Sequence, residues 1–285
     1  MAVKIKDLMA LLKFGLSFTV LLSSVLGYLI AVYKNNLSFE ISTVISLFIG
    51  GLLITFSANT FNQIIEIEQD GKMNRTLKRP LVTKSIGIST AFLIALICAI
   101  IGFIILYLGT NTLTSILAIS SLILYAFVYT PSKRLTSLCV LIGAIPGAFP
   151  PLIGYVAATN GLDFWAFYIF GFQFLWQFPH FWAIAWQLND DYTKAGYQML
   201  PTKSGKSKIN AIIILIYTLI CVTISLLPFF IGQMHLIGFS IICAMGIYFL
   251  YKNYLLLKYL DNTSAKNLMF ASLLYMPIVL VILIF

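Results

Sequence analysis

Charge is what this chain of 285 residues has least of: nine Asp and Glu, eighteen Lys and Arg, together only 9% of the sequence. Soluble domains carry about 25% charged residues, so an ordinary water-soluble domain is excluded. Histidine is nearly absent, with two copies, and the four cysteines (Cys98, Cys139, Cys221, Cys243) all fall inside apolar runs without paired spacing. That excludes a zinc site and a redox motif, and leaves the cysteines as packing groups. A glycine-rich phosphate loop is also lacking. Gly205-Lys206-Ser207 has the ending of one, but Leu200 stands at the earlier glycine position and no strand precedes it.

What is there is hydrophobe, 60% of the chain, including 23 Phe and 15 Tyr. Spanning a bilayer takes about 20 apolar residues, and lipid leaves backbone polar groups unsatisfied unless the segment is a helix or part of a closed barrel. The long unbroken runs select helices. The fold class expected is an all-α integral membrane protein, one transmembrane domain over 1–285, with nine helices around a central cavity. The spans are expected at 8–33, 41–65, 85–108, 112–130, 138–157, 164–188, 209–231, 236–257 and 267–285. The first run is too long for a cleaved signal and lacks a small-residue cleavage site, and no targeting peptide is visible.

Cations give the orientation, because cationic loops stay on the cytoplasmic side. Lys4, Lys6 and Lys13 open the chain, and Lys72, Arg75, Lys78, Arg79 and Lys84 follow the second run. Lys133 and Arg134 follow the fourth, and Lys194, Lys203, Lys206 and Lys208 the sixth. Lys252, Lys258 and Lys266 surround the turn after the eighth, and Lys34 alone falls on the other face. The net charge of +9 is therefore a sidedness signal, and no nucleic-acid partner is expected. The location expected is a bacterial cytoplasmic membrane, amino terminus inside and carboxyl terminus outside. Carboxylates break the simple pattern. Glu66, Glu68, Asp70, Asp190 and Asp191 cluster among the cations of that same face, where a metal ion is a fitting partner.

On a helical wheel Asn59, Asn62, Gln63, Glu66 and Asp70 fall within an arc of roughly 100°. Gln173, Gln177, His180, Gln187 and Asp191 of the sixth run share roughly 80°. Polar groups entering membrane helices are costly unless they face a protein interior or a wet cavity, so two stripes predict one shared cavity. Each stripe ends in carboxylates followed by a basic loop, which gives the chain two similar halves offset by about 120 residues. Magnesium takes oxygen ligands, usually one or two carboxylates plus substrate phosphates. Glu66, Asp70 and Asp191 are the ligand candidates, against helix-end salt bridges as the plain alternative. Arg75, Lys78, Arg79, Lys133, Arg134 and Lys194 are candidates for the phosphate charge, against topology and lipid headgroups. Pro146, Pro150 and Pro151 are expected to bend the fifth helix.

These residues match known signatures. Asn62, Glu66 and Asp70, followed by Met73, Arg75, Thr76, Arg79 and Pro80, fit N-x-x-x-D-x-x-x-D with M-x-R-T-x-x-R-P. Trp176 to Trp186 reads W-Q-x-P-H-F-W-A-x-A-W, and Asp191 to Pro201 reads D-Y-x-x-A-G-x-x-M-L-P. Tyr129-Thr130-Pro131, Lys133-Arg134 and Gly143 to Tyr155 form a third stretch. The chain resembles the intramembrane prenyltransferases of the UbiA superfamily, in the branch that modifies heme. It departs where Glu66 replaces the usual aspartate and where Ala195 replaces the second carboxylate of the later signature.

The resemblance implies transfer of a farnesyl group from farnesyl diphosphate to a vinyl group of heme B, with addition of water, giving heme O. It implies a Mg2+ cofactor, catalytic roles for Asn62, Glu66, Asp70 and Asp191, and a heme-binding set of His180, Asn59 and Gln177. His180 has two readings, contact with the heme through iron or a propionate, or a hydrogen bond to a carbonyl freed by Pro179. The partners implied are the two substrates, the lipid bilayer, and heme A synthase or terminal-oxidase assembly proteins. Two other readings stay open: a prenyltransferase acting on a quinone or chlorophyll-type acceptor, and a transporter. A transporter places ionisable groups near the bilayer midplane, whereas these carboxylates fall at helix ends.

Overall fold

The computed structural model describes residues 4–285, and every regular element among them is a helix. Its elements are α1 (Ile5–Leu12), α2 (Phe14–Lys34), α3 (Ile41–Ile65), α4 (Ile67–Asp70), α5 (Ile88–Gly109), α6 (Thr112–Ile123) and α7 (Thr130–Ser132). There follow α8 (Cys139–Thr159), α9 (Phe164–Gln187), α10 (Asn189–Lys194), α11 (Lys208–Ser225), α12 (Leu227–Phe230), α13 (Leu236–Tyr259) and α14 (Asn262–Ile284). A wide π-helical turn, Leu124–Tyr129, joins α6 to α7.

Among the described residues eight helical stretches are long and apolar enough to cross a membrane. They correspond to all of the expected spans except the sixth. The stretch expected at 164–188 is helical, as α9, but Gln173, Gln177, His180 and Gln187 hold its apolarity below that of the others. The structure also corrects the first boundary. Instead of one helix over 8–33, Lys13 takes a left-handed conformation (φ 48°, ψ 51°) that ends α1 and starts α2. The Lys13 ammonium reaches Asn62 Oδ1 at 3.0 Å, so the break turns a polar side chain inward at the foot of the span.

Close helix packing relies on glycine. A Cβ on Gly27 of α2 would lie 2.0 Å from the Pro151 carbonyl oxygen, and one on Gly154 of α8 would lie 1.8 Å from that of Ser24. Small residues let membrane helices approach where no hydrophobic force drives them together. The three prolines of α8 lie inside one continuous helix. Pro150 has no N–H for the carbonyl of Pro146, and Ser121 Oγ supplies the missing donor at 3.1 Å. The fully buried aromatics Trp186, Tyr28, Tyr155, Phe172 and Tyr275 fill the core.

Candidate functional site

Both polar stripes run to a helix break of the same geometry. α3 stops at Glu66 (φ −99°, ψ 11°) and α9 at Leu188 (φ −100°, ψ 13°), and each resumes as a short helix, α4 or α10. Each break falls just before or at the carboxylates of its stripe. The bond from Asp70 N–H to the Glu66 carbonyl, 2.8 Å, keeps α4 in helical register with α3.

Three loops meet at the foot of α3. Glu66 is buried and bonded on both oxygens: Oε1 accepts from Lys133 Nζ at 2.8 Å and from the Tyr197 hydroxyl at 2.9 Å, and Oε2 from Asn62 Nδ2 at 2.8 Å. Asn62 also donates to Thr130 Oγ1 at 3.1 Å. Asp70 is buried and receives Arg79 on Oδ2 at 2.5 Å. Asp191 accepts the Arg75 backbone N–H at 3.3 Å, which brings the second carboxylate stripe against the loop of the first. Arg134 donates to the Ile65 carbonyl at 2.8 Å and to Gln69 Oε1. Arg75, Lys78 and Lys194 have exposed side chains along this rim.

The motif around Arg79 has a visible local purpose. Thr76, buried, caps the Asp70 carbonyl at 2.7 Å, and Met73 beside it is buried too, so the basic loop folds back over the acid. Gly196 stands at φ 78°, a conformation that favours glycine, and the turn it allows returns Tyr197 toward Glu66.

Burial raises the Glu66 carboxyl, but Lys133, the Tyr197 bond and Lys13 outweigh it and hold the group below its usual range. Burial disfavours charge on Lys133 too, yet the Tyr129 ring 4.6 Å from its Nζ and the Glu66 carboxylate hold its pKa well above normal. At Asp70 burial outweighs Arg79, and the pKa is raised. Lys13 is lowered to about 7, first by burial and then by repulsion from Arg79 and Lys133.

No group of three His, Cys, Asp or Glu side chains forms a ready metal cage among the described residues. The fit to a hard cation rests on another observation: Asp70 Oδ1 is buried with no hydrogen-bond partner. A bare carboxylate oxygen at a cationic rim suits Mg2+, which completes its shell with water and phosphate oxygens. Asp70 and Asp191 are the candidates to contribute, and each Glu66 oxygen already accepts at least one hydrogen bond.

The three residues expected around heme are each bonded to a different part of the bundle. Asn59 donates to Ser17 Oγ at 3.1 Å on α2, Gln177 to the Ala144 carbonyl at 2.9 Å on α8, and His180 Nδ1 lies 2.8 Å from Ser272 Oγ on α14. Sequence reasoning missed Lys13, Thr130 and Tyr197 as site residues. Lys13 was legible only as a sidedness cation, and Tyr197 only through the glycine before it.

The chain has relatives among known proteins. The sequence model of the UbiA prenyltransferase family matches residues 20–274. A protein of Cytophaga hutchinsonii named protoheme IX farnesyltransferase is 42% identical over 98% of this chain and 96% of its own length. One of the same name from Flavobacterium psychrophilum is 42% identical over 97% and 92%. Among solved structures, a UbiA homolog from Aeropyrum pernix superposes with a TM-score of 0.74 at 18% identity, covering 93% of this chain and 96% of that one. A UbiA homolog from Archaeoglobus fulgidus bound to GPP and Mg2+ gives 0.67 at 15% identity, covering 97% and 99%.

Proposed function

Because this chain belongs to the UbiA prenyltransferase family, we propose that its rim of Asp70, Asp191 and Arg79 binds a prenyl diphosphate, which it uses in the reaction of protoheme IX farnesyltransferases. That reaction moves the farnesyl group of farnesyl diphosphate to a vinyl group of heme B and adds water, giving heme O and diphosphate. The C–O bond to diphosphate breaks, a C–C bond forms at the vinyl carbon, and water supplies the hydroxyl as a proton is released.

The single observation that carries the site assignment is the unpartnered, buried Oδ1 of Asp70 beside Arg79. When bound there, Mg2+ neutralises the departing diphosphate, the term that usually dominates such chemistry. Arg79 is placed to exchange part of its bond with Asp70 for a two-point bond to phosphate. The exposed Arg75, Lys78 and Lys194 add charge at the entrance, and Arg134 braces the end of α3. Lys133, fixed by Glu66 and Tyr129, presents a permanent cation, and Asn62 orients it by holding Glu66. Asn59, Gln177 and His180 are assigned to the heme side. Oxidase assembly proteins or heme A synthase are the proposed recipients of the product.

We further read α9 as a ninth crossing. At about 1.5 Å per residue its 24 residues extend roughly 36 Å. Its start lies with Lys34, whose Nζ sits 5.1 Å from the Trp165 ring, while the segment after its end meets the foot of α3 through Asp191 and Tyr197. Nine crossings leave the carboxyl terminus external if the cation-rich face is cytoplasmic, in a bacterial cell membrane.

Expression in cells that lack this activity, followed by heme extraction and mass-resolved chromatography, tests the reaction. Conversion of heme B to heme O is expected. Protein present in the membrane without conversion overturns the assignment.

A further inference from the structure

His180 is locked in one tautomer by its neighbours. Ser272 Oγ lies 2.6 Å from the Met269 carbonyl oxygen, a group that only accepts. The single hydroxyl hydrogen of Ser272 is thereby committed to Met269. Toward His180 Nδ1, at 2.8 Å, the same oxygen is left as an acceptor. Nδ1 must then carry the ring proton, and Nε2 holds the lone pair. The side-chain hydrogen bond of His180 is made by Nδ1, and the side chain is half-buried.

The ring orientation is fixed as well. Trp176 stacks on the imidazole at 4.7 Å between centroids with planes 16° apart, and its Nε1 donates to the Ser272 carbonyl at 2.7 Å. Ser272 is fully buried. The arrangement therefore joins α9 to α14 through one residue that holds both the Trp and the His. This is the construction of a metal-ligating histidine: one ring nitrogen donates to an oxygen acceptor, which sets the tautomer and raises the basicity of the other. Pro179 does not use His180 to satisfy a freed carbonyl, since Nδ1 is turned across to α14.

We propose that His180 Nε2 is the axial ligand of the iron of the heme substrate, with Ser272 and Trp176 as positioning residues. The inference rests on the reaction proposed above and deepens it. It gives the acceptor a fixed point on α9 seven residues before Gln187, about 10 Å of helix from the end that carries the diphosphate rim. Iron ligation by a neutral imidazole asks nothing of the ring but the free lone pair that this geometry provides.

The test uses the full chain in lipid nanodiscs titrated with ferric heme B and followed by optical and electron paramagnetic resonance spectra. The wild type is expected to show histidine ligation, lost in His180→Ala and regained when imidazole is added to His180→Gly. Ser272→Ala is expected to weaken heme affinity by about 10-fold or more, with Ser272→Thr restoring it. A wild-type iron spectrum that persists unchanged in His180→Ala, while the wild type still makes heme O, overturns this inference alone. A wild type that neither binds heme nor forms heme O overturns the reaction and the ligand together.

Discussion

Tyr197 donates its hydroxyl to Oε1 of Glu66 at 2.9 Å, across 131 positions of sequence. That bond ties the loop after α10 to the foot of α3, and Lys133 shares the same oxygen at 2.8 Å. Glu66 thus fastens two loops to the foot of α3. A glutamate suits this task, since its extra methylene relative to aspartate gives reach to partners on either side.

The fastener has an energetic signature. Glu66→Gln leaves Lys133 buried without its counter-ion, and breaking such a pair costs roughly 3–5 kcal/mol. Thermal unfolding in detergent should show this, with Glu66→Gln and Lys133→Met combined losing less than the sum of the two alone. Additive losses would mean the pair is not coupled. Because Glu66 titrates below its usual range, its contribution is present above the unfolded value and is lost as acid brings the pH down through the folded one.

Asp70 and Asp191 should be needed for chemistry and not for insertion. Asp70→Ala or Asp191→Ala is expected to lower heme O formation by at least about 100-fold at normal membrane levels. Mg2+ with a farnesyl diphosphate analogue should stabilise the wild type by about 2.7 kcal/mol at a hundred times its Kd, and Asp70→Asn should lose that gain. Equal stabilisation of both proteins would refute the metal role of Asp70.

Lys13 provides a pH test with a definite sign. Its pKa falls from 10.5 in the unfolded chain to about 7 in the folded protein. Between those values the unfolded chain holds a proton that the folded one lacks, so stability rises as pH rises from about 7. Denaturation midpoints measured from pH 7 to pH 10 should climb for the wild type and lie flat for Lys13→Met. A flat wild-type profile would contradict the burial of Lys13.

Gly154→Ala sets a methyl group where Ser24 oxygen already lies, 1.8 Å from the ideal Cβ. Overpacking typically costs about 1–3 kcal/mol, and here the obstructing atom is backbone. The variant should unfold at lower temperature than wild type, whereas Gly171→Ala, with nothing within 4 Å, should unfold unchanged. Matching melting temperatures for the two variants would count against the close α2–α8 contact.

The sequence alone determined the membrane class and the helical runs apart from the break at Lys13, because hydrophobic length and polar periodicity are local properties. It placed α3 at 41–65, its observed bounds, and it brought out the motifs around Asp70 and Asp191. Only the tertiary structure decided what each polar atom does. The partners of Lys13 and Glu66 lie far along the chain, so no wheel drawn on a straight helix could show that both Glu66 oxygens are bonded while Asp70 keeps an unpartnered one. The direction of His180 was likewise set by Ser272, 92 positions away, because a hydrogen bond between helices is a property of their packing and not of either sequence segment.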